Sequence, residues 1–340
     1  MSVVLTPPRL ADPLVTVVIP AYNHAAFLRD AVLSVLNQTY TTTEIIVVDD
    51  GSTDDTLQVV MGLSPKVRYV SQPHQGIASA RNRGLEMSSG SLIAFLDADD
   101  MFLPHKLEIQ VDCLVRHAEA GMVYGSYVLI DREGRQIGAV TAKLSGNVYL
   151  GFLDRAMVGI LATATVMVRK TVLAKVGLFD EAMTLAEDTD MWCRVASHYQ
   201  VEAIAEPLAR VRRHPGNVSG LTDPHLNCDM WLRILRKAAA EGPRIPWIPR
   251  RRLTAKAYLA AAIDLQQNHR DPLGAAQYLV RAWLHWPLVA GGLPAIVAVY
   301  ALRPLQQILS RILPARPYTS IRSAWRRVAG TSTHESGDTK

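Results

Sequence analysis

The chain has 340 residues, enough for about two domains at roughly 150 residues each, so a sizeable core needs no covalent staples. Hydrophobic residues make up 49% and charged residues 20%, which excludes a disordered chain, and the ordinary glycine (21) and proline (19) counts exclude collagen-like and low-complexity classes. The net charge of +5 hides a division: residues 1–220 hold 19 Lys/Arg against 24 Asp/Glu, whereas residues 221–340 hold 17 against 7.

Residues 1–13 read as a tail. Val15–Ile19 is a short apolar run closed by Pro20, the pattern of a buried strand. Phe27, Leu28, Ala31, Val32, Val35 and Leu36 recur at helical spacing through Asn37. A second strand, Ile45–Val48, ends in Asp49-Asp50-Gly51-Ser52, after which Thr53 or Asp54 is placed to cap a helix. Val67–Val70 is a third strand. Gly76–Met87 is a helix, with Ser89-Gly90 expected to supply a left-handed cap. Leu92–Leu96 is a fourth strand, running into Asp97-Ala98-Asp99-Asp100, and Pro104 opens another helix. This order implies an α/β fold: a mostly parallel, doubly wound sheet with helices on both faces. Ligands in such sheets bind beyond the carboxyl ends of the strands. Tyr22-Asn23, Asp49-Asp50 and Asp97–Asp100 are therefore expected to line one cleft.

Met122–Ile130 and Gln136–Thr141 flank a five-residue loop and read as a hairpin. Thr163–Val168 reads as a strand, Glu187–Ser197 as a helix and Leu208–Arg213 as a strand. From about residue 221 to 330 the chain reads as helical, with Pro-rich breaks at 243–249 and 314–317, before a polar tail at 331–340 that is expected to be disordered.

Asp97-Ala98-Asp99 offers two carboxylates to one side of a strand end, a donor set for Mg²⁺ or Mn²⁺ on substrate phosphates. D-x-D alone is also an ordinary solvated turn. D-G-S is likewise common turn chemistry, and Arg81 alone reads equally as a surface arginine. Together the segments resemble the family-2 inverting glycosyltransferases, which have the GT-A fold. The resembling blocks are Val17–Asn23, Ser34–Tyr40, Glu44–Asp54, Gly76–Gly84 and Phe95–Asp100, in the family's order, within a domain spanning 14–220.

The resemblance implies that Pro20, Ala21, Tyr22 and Asn23 bracket a nucleotide base, uridine by default. Asp49 would meet the base with Asp50 beside it, and Arg81 would contact the nucleotide or its phosphates. Asp97 and Ala98 would lie on the donor, Asp97 at the ribose or metal, and Asp99 would hold the cation. Ala186–Trp192 is similar to the family's E-D-x-D-L-W block, which implies Asp188 as catalytic base with Glu187 second. Arg212–Ser219 is similar to its R-x-H segment, which implies His214 as a further ligand of Mg²⁺ or Mn²⁺. The implied partners are a nucleotide-sugar donor and a saccharide or lipid-linked saccharide acceptor, as in polysaccharide and cell-envelope synthesis. A polyprenyl-phosphate acceptor and a donor-binding protein without turnover are the alternatives.

The basic C-terminal part has no zinc-finger spacing and no aromatic-interleaved RNA motif, so nucleic acid is not expected. The 21 residues from 282 to 302 lack Asp, Glu, Lys and Arg, but His285, Pro287, Gly291, Gly292 and Pro294 interrupt them. Packed helices, interfacial attachment to anionic lipid and a true span are the three readings there. Cys113, Cys193 and Cys228 cannot all pair and form no C-x-x-C. With no basic-then-apolar leader, a cytoplasmic place is expected, with peripheral attachment to the inner membrane face as a further possibility.

Overall fold

The computed structural model describes residues 12–154, 161–216 and 223–287. The expected break at 314–317, the tail at 331–340 and most of the uncharged stretch at 282–302 lie outside these residues.

The chain divides into two compact units, one running to Asp223 and taking in Arg236–Pro243, the other comprising Pro224–Leu235 and the chain from Arg244 on. The first unit is built on strands β1 (Val15–Ala21), β2 (Thr43–Asp49), β3 (Val67–Ser71), β4 (Leu92–Phe95), β5 (Met101–Phe102), β6 (Ala120–Ile130), β7 (Gln136–Val140), β8 (Met167–Arg169) and β9 (Gln200–Arg212). Its helices are α1 (Ala25–Leu36), α2 (Thr56–Met61), α3 (Ile77–Met87), α4 (Lys106–Arg116), α5 (Tyr149–Phe152), α6 (Lys170–Val176) and α7 (Glu187–Ala196). Among the described residues the strands form one sheet in the order β3-β2-β1-β4-β8-β6-β9-β5, with β7 paired to β6.

The first four strands are parallel, and their continuous apolar runs suit burial on both faces. Val17, Ile19, Ile45 and Val47 face a core shared with Leu28, Val32, Leu107 and Leu114, while Ile46 and Val48 pack on the other side against Ala80 of α3. The second half of the sheet is mixed. β8 runs antiparallel between β4 and β6, β9 is parallel to β6, and the short β5 is antiparallel to β9.

Four local differences from the sequence expectations have physical causes. β1 continues through Pro20 because β4 stops pairing at Val18–Phe95 and Leu96 N donates to Val18 O at 3.0 Å. By strand alternation the absent Pro20 N–H faces that same, now unpaired side, so no ladder bond is lost. The end of α3 is an extended Ser88, not a left-handed glycine. Gly90 is required instead by close approach, since a Cβ there would lie 2.6 Å from Thr16 N and 2.7 Å from Leu14 O. Thr163–Thr165 forms a 3-10 turn ahead of β8, where α4 meets it: Gln110 Nε2 donates to Thr165 O at 2.7 Å and Lys106 Nζ lies 3.4 Å from Val166 O just beyond. Finally, β9 begins eight residues before the expected Leu208, pairing with β6 across register shifts near Pro207 that interrupt regular alternation.

Lys106 is fully buried, its ammonium 3.9 Å from the centre of the Phe102 ring. Desolvation pushes it well below the ordinary lysine range. The unfolded chain therefore holds a proton more tightly there, and stability rises with pH from the folded pKa towards the ordinary lysine value of 10.5. Lys106→Met is expected to raise stability at neutral pH by on the order of 1 kcal/mol, a gain that shrinks towards pH 10. Thermal unfolding at several pH values checks this; a melting temperature lowered at every pH would contradict it.

The second unit contains the first part of α8 (Pro224–Glu241), then α9 (Trp247–Gln267) and α10 (Pro272–His285). Cys228, Ala261, Ala262, Leu265, Ala275, Tyr278 and Leu279 form its core. α10 starts cleanly: Asp271 accepts from Gly274 N at 2.9 Å and Pro272 takes the first helical position. No helix among the described residues is long and apolar enough to cross a membrane.

Candidate active site

The parallel register fixes the site's first wall. Ala21 lies opposite Asp49, and Asp50 N donates to Ala21 O at 2.9 Å. Beyond this edge Tyr22, 41% exposed, stacks on His74 with ring centres 4.0 Å apart. Asn23 adopts a left-handed conformation (φ 54°) that an asparagine tolerates. Its Oδ1 accepts from Thr53 N at 2.8 Å while its own N–H donates to Ser52 Oγ at 2.9 Å, locking the β1 end to the β2 end.

Asp49 and Asp50 are both buried. Asp49 accepts from Ser52 N at 2.9 Å and from the Tyr69 hydroxyl, whose pKa burial and this bond push up to about 12. Asp50 is fully engaged with the following loop. It accepts from Gln72 Nε2, Gln75 N and Gly76 N at 2.8, 2.9 and 2.8 Å, with His74 Nδ1 at 2.9 Å. It thereby sets Gly76 (φ 95°) at the start of α3.

Arg81, on α3, is buried and reaches two acids from distant stretches. Its Nη2 donates to Asp97 Oδ1 at 2.8 Å and its Nη1 to Glu187 Oε1 at 2.5 Å. Burial alone would lower its pKa, but Asp97, Glu187 and Asp188 outweigh that and raise it. Burial pushes Asp97 up, against the pull of Arg81, and the charges of Asp99 and Asp188 add to the rise. Glu187 is pushed up by burial too, opposed by Arg81 and aided by Asp188. Asp97 therefore feels the charges of both Asp99 and Asp188, and Glu187 feels that of Asp188, although these acids come from stretches far apart in the chain. Here Arg81 is occupied by carboxylates rather than presenting an open fork to a phosphate. The methyl of Ala98 belongs to the core, so only its backbone is available beside the acids.

Asp188 opens α7 behind Ala186, which is left-handed at φ 58°. Its Oδ2 accepts from Thr163 Oγ1 at 2.7 Å and its Oδ1 from Thr189 N at 2.6 Å. The sequence carries no signal for Thr163, since Thr163–Val168 reads as a strand.

β5 pairs with β9, Met101 opposite Arg210, and this brings the R-R-H segment back to Asp99. Buried Arg212 donates from Nε to Asp99 O at 3.0 Å and from its backbone N to Asp100 Oδ1 at 2.8 Å. His214 Nε2 lies 3.0 Å from Asp99 Oδ2, its ring centre 5.0 Å from that of Phe27. His24, Asp99 and His214 place ligand atoms within 4.8 Å of one another. One carboxylate and two imidazoles suit a divalent cation with positions left for phosphate oxygens. Asp97, expected among the ligands, is instead held by Arg81 and falls outside this trio; His24 takes its place in it. Its only sequence signal was its position directly after Tyr22-Asn23.

Residues 16–177 match the family described as Glycosyl transferase family 2. An uncharacterized glycosyltransferase of Rickettsia bellii is 34% identical over 215 residues, 62% of this chain but only 30% of that protein's length. The uncharacterized glycosyltransferase RP339 of Rickettsia prowazekii is 30% identical over 237 residues, covering 68% of this chain and 74% of that protein. Among solved structures, S. aureus TarS 1-349 in complex with UDP-GlcNAc superposes with a TM-score of 0.63 at 16% identity, over 92% of this chain and 91% of that one, a likeness of fold. With its sheet, its ordered acids and these matches, the chain belongs to glycosyltransferase family 2 and has the GT-A fold.

Proposed function

We propose that the protein is an inverting glycosyltransferase that moves a sugar from a nucleoside diphosphate donor, a UDP-sugar, to a hydroxyl of a saccharide or lipid-linked saccharide. The observation that carries this reading is the Arg81 bridge, which joins the acid at the end of β4 to the acid block opening α7. This bridge supports assigning donor-side and acceptor-side chemistry to neighbouring residues.

In a single displacement two problems arise. Negative charge develops on the departing diphosphate, and the attacking hydroxyl must lose a proton. For the first, Asp99 and His214 would hold a divalent cation, which would supply charge stabilisation. For the second, Asp188 takes the proton, and Thr163 and Thr189 fix its orientation. Glu187 suits that role less well, being buried and already paired with Arg81. Tyr22, with His74 behind its ring, offers a flat apolar face to the base. Arg81 works by holding Asp97 and Glu187 in place.

Purified protein incubated with a panel of nucleotide sugars and Mn²⁺ or Mg²⁺ should release nucleoside diphosphate slowly from one donor, and faster once a hydroxyl acceptor is supplied. Acceleration by polyprenyl phosphate alone would redirect the acceptor assignment, and no release from any donor would argue for a binding protein. Asp99→Ala should abolish metal-dependent UDP binding in calorimetry with and without Mn²⁺. UDP binding by this variant that still responds to Mn²⁺ would remove Asp99 from the site.

A further inference from the structure

His24 precedes α1 at the position where helices favour Ser, Thr, Asp or Asn, yet its side chain makes no capping bond. Asp54, from the β2–α2 connection, accepts from Ala25 N at 3.0 Å and does that work instead. The imidazole turns elsewhere. Its Nδ1 lies 2.6 Å from Tyr22 O, and a carbonyl only accepts, so Nδ1 donates there and, in the neutral ring, Nε2 is the nitrogen with the lone pair. That is the tautomer a metal ligand needs, fixed by a backbone carbonyl as metal-binding histidines commonly are, whereas His214 Nδ1 accepts from Gly216 N at 3.1 Å, so its Nε2 proton, directed at Asp99 Oδ2, must leave when a cation binds. Its ring stands 6.3 Å from that of His214, and its ligand atom lies within 4.8 Å of those of Asp99 and His214.

We infer that His24 is a third protein ligand of the cation, making a site of two imidazoles and one carboxylate. The inference rests on the cation-dependent reading above and deepens it. Two consequences follow. Imidazole nitrogen suits Mn²⁺, Co²⁺ and Zn²⁺ far better than Mg²⁺, which prefers oxygen and retains its waters, so the site discriminates against Mg²⁺. The carbonyl that orients His24 belongs to Tyr22, whose ring forms the base platform. Ordering Tyr22 by a nucleotide therefore also orders a metal ligand, and UDP and Mn²⁺ each tighten the other's binding.

The test is Mn²⁺ binding by the full chain, followed as loss of the free-ion paramagnetic resonance signal, with and without UDP. Pulsed measurements on the bound ion report couplings to imidazole ¹⁴N. Wild type should show two coupled imidazoles and Mn²⁺ bound at least about tenfold more tightly than Mg²⁺. His24→Ala should retain its circular dichroism spectrum, show one imidazole and bind Mn²⁺ at least about tenfold more weakly. One coupled imidazole in wild type, or unchanged affinity in His24→Ala, would overturn the inference while leaving Asp99 and His214 as the site. Unchanged Mn²⁺ binding in Asp99→Ala would overturn both this inference and the cation-dependent function on which it stands.

Discussion

Asp188→Asn is expected to lower turnover by at least about two orders of magnitude while leaving UDP affinity unchanged, because general-base assistance is commonly worth about 10²–10⁴-fold. The substitution preserves shape. An asparagine oxygen can still accept from Thr189 N, as Asp188 Oδ1 does at 2.6 Å, so α7 should begin as before. The lost property is the capacity to take a proton. Among the described residues the hydrogen bonds to Asp188 come from the Thr163 hydroxyl and from Thr189, whereas Glu187 is committed to Arg81. Steady-state kinetics with a hydroxyl acceptor, together with calorimetric titration of UDP, separate the two effects. Near-normal turnover would take Asp188 out of the reaction, and a parallel loss of UDP binding would make its role structural.

The second large effect concerns stability. Arg81→Met should cost about 3–5 kcal/mol near neutral pH, the usual consequence of removing one member of a buried ionic group. Methionine fills much of the volume but leaves Asp97 and Glu187 facing each other without a cation. The sign of the pH dependence follows from Glu187. Burial already holds its pKa above 4.5 in the folded protein, and loss of Arg81 raises it further. A group with a raised folded pKa contributes fully below its unfolded value and loses that contribution as pH rises through the folded one. The deficit of the variant should therefore be small near pH 4.5 and grow towards pH 7.5. Urea denaturation at both values measures it. The double variant Arg81→Met with Glu187→Gln should recover part of the loss at pH 7.5. A deficit below about 1 kcal/mol there would mean that the bridge contributes little.

The parallel half of the sheet was legible because buried strands covered on both faces show as short apolar runs, and the acids at their ends follow those runs directly. Val17–Asn23, Ile45–Asp50 and Leu92–Asp99 are of this kind. The mixed half was less legible. β9 carries Glu202, Glu206 and Pro207 within its span, and the 3-10 turn at Thr163–Thr165 is tied to α4 by Gln110, whose Nε2 donates to Thr165 O. Such bonds join residues tens of positions apart, and no local periodicity encodes them.

The same division holds at the site. Local order along the chain determined which strand ends carry carboxylates and which acidic block opens a helix, since both are matters of neighbouring residues. Tertiary structure decided their partners. Arg81 took Asp97 and Glu187, Asp50 turned to its own loop, and His24 came within 4.8 Å of the potential ligand atoms of Asp99 and His214. The physical reason is that a charge or lone pair acts through space over a few ångströms. Which groups come that close depends on strand register and helix placement, set here by Ala21 opposite Asp49 and Met101 opposite Arg210.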